Sequence, residues 1–352
     1  MRMFRNDYSE GAAPEVLQAL IDTNEEQCPG YTEGDVHCER ARALIRDAVG
    51  LPDAAVEFCV GGTSVNLIAV TGMLRDWEGV IATPLAHIAT HETGAVAAAG
   101  RTILLTDDTD GFVSPDAAER IWERQCAGGR HMTKPALIYI ADTTEIGGVW
   151  SHERFFALAD WADTHDIPIY VDGARLASAL EARDADLALE DIAKRAAAFT
   201  LGGTKDGLLF GEALVFTDER LKEAFPYVQK ERGGLMAKGR LLGVQFERAF
   251  TPDEDGDLPW LRYARQANRS AARLFEGLSA LGFEPFGGHD SNQLFFYVNE
   301  KEEEAFRGAC GAETISVLPD GRRIIRFVTS WATKEEDADE LSSFASTLRS
   351  RG

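Results

Sequence analysis

The segment AAAFTLGGTKDGLLFGEALVF, residues Ala196–Phe216, contains a lysine in an unusual place. The apolar run Ala196–Leu201 predicts a strand, GGTKDG (Gly202–Gly207) predicts a turn, and Leu208–Phe216 predicts a second strand. Lys205 lies in that turn and is one of only eight lysines, against 28 arginines. An amine that is shielded from water at the end of a strand has a lowered pKa and can attack an aldehyde. Taken alone, a loop lysine is more often simply solvated.

Short β-branched runs alternate with helical patterns on both sides of this segment. Such alternation predicts an α/β fold, with a mostly parallel sheet of about seven strands and helices on both faces. The expected strands are Val56–Val60, Val80–Ala82, Thr102–Leu105, Ala136–Ala141, Ile167–Val171, Ala198–Leu201 and Ala213–Phe216.

The pattern changes beyond residue 250. Thr251–Pro259 is acidic and contains Pro and Gly, which is typical of a linker, and Leu261–Leu281 has the spacing of a long amphipathic helix. A strand at Gln293–Val298, a hairpin through Asp320 and Gly321, and a charged terminal helix then predict a small α+β domain. We therefore expect an N-terminal arm (1–30) that packs with the small domain, a large domain (31–250) and a small C-terminal domain (251–352).

Composition excludes several classes of partner. The net charge of −22 would repel nucleic acids and anionic membranes, and no apolar stretch is long enough for a membrane span or a signal peptide. The five cysteines show no CxxC spacing, so neither a disulfide framework nor a zinc site is indicated. We expect a cytoplasmic protein without a metal site.

Asp172 is the first residue that gives Lys205 a specific meaning. It lies in VDGAR (Val171–Arg175), after an apolar strand, and the carboxyl end of a parallel strand points into the crevice where such sheets bind ligands. There a carboxylate could keep a pyridine nitrogen protonated, so the pair fits pyridoxal phosphate. A lone aspartate at this place is about equally often the N-cap of the next helix.

Two further motifs could contribute to the same site. VGGTSVN (Val60–Asn66) places glycines and hydroxyls where a strand meets the helical run Leu67–Trp77, which suits a phosphate, although such turns are common. In HIATHETGA, His87 and His91 would share a helical face, but no third metal ligand is apparent. A ring that lies flat over a planar cofactor fits His87 better.

Together these motifs resemble the threonine aldolase group of pyridoxal-phosphate-dependent β-eliminating lyases, which have the aspartate-aminotransferase-like fold. The resemblance is collinear over nearly the whole chain. It rests on NDYSEGA (6–12), GYTEGD (30–35), GGTSVN (61–66), HIATHETGA (87–95), DGARL (172–176), GGTKDG (202–207), GEALVF (211–216), LMAKGR (235–240) and RFVTSWAT (326–333). It implies a large domain of the pyridoxal-phosphate-dependent transferase type, in a homodimer or homotetramer with active sites at the subunit interface.

The resemblance also implies roles for individual residues. Lys205 would bond to the cofactor aldehyde, Asp172 would pair with the ring nitrogen, and His87 would stack on the ring. Gly62 and Thr63 would hold the phosphate, which Lys238 and Arg240 would reach across a subunit interface. Arg326 and Arg175 would bind the substrate carboxylate, helped by Asn6 in the place of a serine, and Tyr31 would line the entrance.

The expected reaction is cleavage of L-threonine, L-allo-threonine or a related L-3-hydroxy amino acid to glycine and an aldehyde. One departure concerns the base, because many members carry a second histidine in the stretch that corresponds to ADTTEIGG, where we place Thr144. The base is then His87, an ordered water or, indirectly, Glu145. A β-eliminating or aminotransferase-like enzyme on the same fold and a non-catalytic pyridoxal-phosphate-binding protein are the alternatives.

Overall fold

The computed structural model describes residues 1–349, so the last three residues of the expected small domain lie outside it. Its strands are β1 Ala55–Cys59, β2 Glu78–Ala82, β3 Thr102–Leu105, β4 Lys134–Ala141, β5 Ile169–Asp172, β6 Ala198–Gly202, β7 Glu212–Phe216, β8 Glu284–Pro285, β9 Gln293–Val298, β10 Glu313–Val317 and β11 Arg323–Val328. The helices of this part of the chain are α1 Pro14–Asp22, α2 Val36–Val49, α3 Gly62–Met73, α4 His87–Thr90, α5 Ala95–Ala98, α6 Pro115–Ala127, α7 His152–Thr164, α8 Leu176–Leu180, α9 Leu189–Arg195, α10 Glu219–Glu231, α11 Arg240–Phe250, α12 Pro259–Ala280, α13 Glu300–Cys310 and α14 Glu335–Arg349.

Strands β1 to β7 form one sheet in the order β1-β7-β6-β5-β4-β2-β3, in which β7 alone runs against the other six. This arrangement confirms the mostly parallel, seven-stranded sheet expected from the sequence. The inner strands β4 to β7 are apolar and almost entirely buried, as expected for a sheet that helices cover on both faces. Because six strands share one direction, their carboxyl ends meet at one edge of the sheet. In the β4–β5 register, Ala141 pairs with Asp172 at that edge.

The second sheet is antiparallel, in the order β10-β11-β9-β8. Helix α12 connects the two sheets, because Trp260 and Ala264 at its start pack in the core of the large sheet, whereas Ala271 and Leu274 pack against the small sheet. At the N-terminus Phe4 is fully buried in the core of the small sheet, and its backbone N–H donates to Cys310 O.

Two of the boundaries that differ from the expectations by more than two residues are the start of the helix expected from residue 67 and the start of the strand expected over the run Leu208–Phe216. Helix α3 begins at Gly62 rather than at residue 67, because the polar GTS segment continues the helical path with buried Val65 and Asn66 behind it. Strand β7 begins only at Glu212, because Gly207 and Gly211 have φ angles of +87° and +108°, which keep the intervening chain in a turn. Both differences arise from glycine-rich turns that lengthen the loops around the carboxyl edge.

No helix among residues 1–349 is long and apolar enough to cross a membrane. All five cysteines are free thiols.

Candidate active site

A pocket opens at the carboxyl edge of the large sheet. It brings together residues that follow five different parallel strands, namely Gly62, Asn66, His87, Ala141, Thr143, Glu145, Asp172, Ala174, Arg175 and Lys205. Five of the residues singled out in the sequence therefore meet here: Gly62, His87, Asp172, Arg175 and Lys205. A larger cavity lies at the opposite edge of the sheet, but its charges pair with one another at the surface, as Arg195 does with Asp163, and no such convergent set lines it.

Lys205 lies in the turn between β6 and β7. Burial lowers the pKa of its amine, and the positive charge of Arg175 lowers it further, while the nearby carboxylates of Asp7 and Asp172 act in the opposite direction. Within residues 1–349 no carboxylate forms an ion pair with Nζ. A buried amine with a lowered pKa is available in its neutral, nucleophilic form.

Asp172, the last residue of β5, is held by three donors. Its Oδ2 accepts from Asn66 Nδ2 at 2.8 Å and from Tyr139 OH at 2.6 Å, and its Oδ1 accepts from the backbone N–H of Ala174 at 3.0 Å. The side-chain oxygen of Asn66 in turn accepts from Tyr170 OH at 2.7 Å. These contacts fix the orientation of the carboxylate in the pocket. The hydrogen bond from Ala174 also stabilises the turn that follows β5.

Arg175 carries the second positive charge of the pocket. Its guanidinium binds Asp7 with two contacts, Nε to Oδ2 at 2.6 Å and Nη2 to Oδ1 at 3.1 Å. Asp7 Oδ2 also accepts from Asn292 Nδ2 at 2.8 Å, next to the start of β9. Asp7 is buried, which raises the pKa of its carboxyl, but the charges of Arg175 and Lys205 and the hydrogen bonds from Arg175 and Asn292 together lower it below its usual value. Asp7 therefore connects the N-terminal arm to both sheets beside the pocket.

The start of α3 presents backbone donors to the pocket. No side chain caps this helix, and a Cβ built on Gly62 would meet no atom within 4 Å, so the backbone is approachable there. Thr63 is exposed beside it. Free N–H groups at a helix start favour an anion.

His87 forms one wall of the pocket. Its Nδ1 lies 2.9 Å from Glu92 Oε1, which also accepts from Asn66 Nδ2 at 2.8 Å, and its backbone N–H donates to Glu145 Oε1 at 2.8 Å. The ring of His91 lies with its centroid 5.5 Å from that of His87. The described part of the chain holds no cluster of three or more His, Cys, Asp or Glu side chains suited to a metal ion.

Thr63 and the five other sequence-predicted residues do not line this pocket in the single chain. Asn6 Oδ1 accepts from Tyr8 N and Ser9 Oγ, and Tyr31 is 44% exposed with the Lys230 amine over its ring. The other three are Lys238, whose backbone N–H donates to Gly30 O, Arg240, which binds Thr23 O and Glu26, and Arg326, which pairs with Glu313 at 2.6 Å.

Thr144, which the sequence analysis placed where many members carry a histidine, does not line the pocket. Thr144 is fully buried and its Oγ1 accepts from the backbone N–H of Gly148 at 2.9 Å, so it faces away from the pocket. Glu145 lines the pocket instead. The turn after β4 determines which side chain points inward, and motif alignment alone does not reveal that direction.

Sequence reasoning also missed Asp7, Asn66, Tyr139 and Glu92. Asn66 and Glu92 lie in motifs that had been singled out, and Asp7 directly follows Asn6, so a signal was present. Their roles depend on tertiary contacts between segments far apart in the chain. Asn66 and Asp172, for example, are separated by 106 positions.

The residues around the pocket fit pyridoxal phosphate. Lys205 offers an amine for its aldehyde, Asp172 offers a fixed carboxylate for its ring nitrogen, and the uncapped start of α3 at Gly62 offers backbone donors for its phosphate. Each group is positioned by a different strand end.

Known proteins resemble the chain over most of its length. The family model of β-eliminating lyases matches residues 4–301. The low specificity L-threonine aldolase of Pseudomonas aeruginosa is 28% identical over 345 residues, which cover 97% of this chain and 96% of that protein. The same description applies to a relative from a Pseudomonas species, also 28% identical, with the same shares of both chains covered.

Solved structures resemble it as well. The threonine aldolase of Leishmania major has a TM-score of 0.94 and 37% identity, and the alignment covers 99% of this chain and 100% of that one. An aspartate aminotransferase of Thermus thermophilus, with a TM-score of 0.70, 15% identity, and 99% and 91% coverage, shares the fold. The protein is therefore a member of the β-eliminating lyase family, and its cofactor is pyridoxal phosphate.

Proposed function

We propose that this protein cleaves L-threonine, L-allo-threonine or a related L-3-hydroxy amino acid to glycine and an aldehyde. The observation that carries the proposal is the convergence of the Lys205 amine, the Asp172 carboxylate and the Arg175 guanidinium in one pocket. Two relatives that match nearly the whole chain are named low specificity L-threonine aldolase, which supports the choice of reaction.

In this proposal the pocket supplies positioning and charge. Pyridoxal phosphate, when bound, serves as the sink for the electrons of the bond that breaks. Lys205 provides the amine that holds the cofactor, and Asp172 places a negative charge at the ring nitrogen. Gly62 and Thr63 would bind the phosphate with the start of α3, and His87 would contact the ring.

Two cations are proposed to bind the substrate carboxylate. Arg175 lies in the pocket. Arg326 lies near His91, and the pKa of His91 is lowered by burial, by the neighbouring His87 and then by the charge of Arg326. The Nε–H of Arg326 is buried without a hydrogen-bond partner among residues 1–349, so this side chain has a donor to spare. Asn6 and Tyr31 would complete the substrate site from the N-terminal segment.

We further propose a homodimer or homotetramer in which Lys238 and Arg240 reach the phosphate of the partner's site. Exposed apolar side chains near these residues support it, such as Leu241 and Tyr31, which a monomer would leave in water. The proposed arm (1–30), large domain (31–250) and small domain (251–352) are consistent with the burial of Phe4 beneath the small sheet. Free cysteines support a cytoplasmic location.

A product assay tests the proposal. Purified protein with added cofactor is given a panel of L-amino acids, and acetaldehyde, glycine, ammonia and keto acids are measured together. Aldol cleavage predicts equal amounts of acetaldehyde and glycine from L-threonine. Ammonia with a keto acid would indicate β-elimination, a keto acid without free ammonia would indicate transamination, and no product would indicate a binding protein.

A further inference from the structure

Glu145 is a carboxylate in the pocket that the sequence offered only as an indirect candidate for the base and to which the proposed function assigns no role. It lies in the loop after β4 and lines the pocket together with Lys205 and Asp172. Its Oε1 accepts the backbone N–H of His87 at 2.8 Å, which fixes the direction of the side chain. No Lys or Arg among residues 1–349 forms an ion pair with it. The pocket therefore contains an oriented carboxyl group that forms no ion pair within the described residues.

The surroundings shift the pKa of Glu145 toward neutral pH. Burial raises the pKa of its carboxyl to about 7, and the negative charge of Asp172 adds to this effect, while the backbone donor and the charge of His87 oppose it. The other ionisable groups around it are those of Tyr139, Arg175, Lys205 and Glu92. A general base works best when its pKa lies near the working pH, because it then both accepts and releases a proton.

The neighbouring side chains are committed to other contacts. The Nδ1 of His87 contacts Glu92 Oε1, which fixes the plane of the ring as a wall of the pocket. Thr144 is turned away, and its hydroxyl accepts from Gly148 N. Within residues 1–349, Glu145 is thus a carboxylate that faces the pocket without a side-chain hydrogen-bond partner.

We propose that Glu145 is a catalytic residue that takes the proton of the substrate's β-hydroxyl, an inference that rests on the proposed aldol cleavage. The O–H electron pair would become the second bond of the aldehyde C=O as the Cα–Cβ bond breaks, and pyridoxal phosphate would supply the sink for the electrons of that bond. A proton added to Cα then gives glycine, so the overall reaction neither consumes nor releases a proton.

Glu145→Gln is the variant of choice, because the amide oxygen can still accept the His87 N–H. Glu78→Gln is the matched control. Glu78 is a buried glutamate at the start of β2, at the other end of the strands, and its Oε2 also accepts a backbone N–H, from Arg75 at 2.9 Å. Two reactions are measured in each protein: cleavage of L-threonine, and exchange of the Cα proton of glycine with deuterated water. Glycine has no β-hydroxyl, so its exchange does not need the proposed base.

In Glu145→Gln we expect cleavage to fall roughly 10²- to 10⁴-fold, the usual worth of a positioned general base, with glycine exchange within a few-fold of wild type. The acidic limb of kcat/KM near pH 7 should disappear. Infrared difference spectra between pH 6 and pH 8 should lose the band of one protonated carboxylic acid. Glu78→Gln should behave as wild type in the cleavage, exchange and pH-profile measurements.

Equal losses of cleavage and exchange in Glu145→Gln would show a structural role and overturn the inference, as would unchanged cleavage. A larger loss in His87→Phe, which keeps the backbone N–H, than in Glu145→Gln would assign the proton to His87 instead. Failure of the proposed function is distinguishable, because wild type itself would then release no aldehyde from any L-3-hydroxy amino acid.

Discussion

Arg175 and Asp7 form a two-pronged ion pair beside Lys205, with N–O distances of 2.6 and 3.1 Å. The pair joins the N-terminal arm to the turn after β5 and holds a guanidinium at the pocket before any substrate carboxylate arrives. A bidentate pair of this kind fixes the plane of the guanidinium as well as its charge. We therefore expect it to govern both the stability of the arm and the strength of the proposed substrate site.

Asp7→Asn should lower stability and strengthen the response to substrate. Loss of one partner of a buried pair costs about 3–5 kcal/mol in unfolding free energy, because Arg175 keeps an uncompensated charge. The carboxylate of a bound substrate would compensate the charge of Arg175 in place of Asp7. The thermal shift produced by saturating glycine should thus be larger in Asp7→Asn than in wild type. An equal shift would place Arg175 outside the carboxylate site.

Asp172→Asn should reduce turnover roughly 10²- to 10³-fold, the usual worth of one preorganised electrostatic contact. The amide keeps the size of the side chain and its contact with Ala174 N–H but removes the negative charge. Steady-state kinetics with cofactor in excess measure the loss. Tyr139→Phe, which removes one of the donors to Asp172, should reduce turnover by a smaller factor. Near-normal turnover in Asp172→Asn would reduce Asp172 to a residue that orders the turn.

Arg326→Lys should chiefly raise the KM for the amino acid, because an ammonium cannot make the two-pronged contact that a carboxylate prefers. Glu313 now holds Arg326 at 2.6 Å and would compete with the substrate. Glu313→Gln should therefore lower KM or leave it unchanged. If KM is insensitive to Arg326→Lys, Arg175 carries the carboxylate alone.

Asp142 should make the folded protein less stable as the pH rises. Burial raises the pKa of its carboxyl to about 8, opposed only by the Trp150 N–H. The pKa of Asp142 is higher in the folded protein than in the unfolded chain. The stability that its neutral carboxyl contributes is therefore fully present below about pH 4 and is lost as the pH rises to about 8. Glu212 and Glu145, with pKa values raised to about 7, act in the same direction.

Asp142→Asn removes this ionisation with little change of shape. Urea unfolding at a fixed protein and cofactor concentration should show a gain of about 1–3 kcal/mol over wild type at pH 9, the usual scale for a buried polar group, and little gain at pH 5. A gain of the same size at both pH values would mean that Asp142 does not titrate in this range.

Much of the site was predictable from local signals. Lys205 and Asp172 follow apolar strands directly, and parallel strands bring their carboxyl ends together, so their meeting required only the order of the elements. Asp7 was not predictable in this way, because its contact with Arg175 depends on the path of the arm across the two sheets. That Glu145 and not Thr144 lines the pocket was unpredictable for another reason. The hydrophobic pattern does not indicate which of two adjacent side chains in a turn points into the pocket.

The most direct test is to reduce the protein with borohydride in the presence of pyridoxal phosphate and to map the modified peptide by mass spectrometry. We predict that the cofactor is attached to the peptide that contains Lys205, both in wild type and in the control Lys194→Ala, whose lysine is exposed on the far side of the sheet. Lys205→Ala should keep the circular dichroism of wild type and carry no cofactor at this peptide. Attachment at another lysine, such as Lys238, with Lys205 unmodified in wild type would contradict the account.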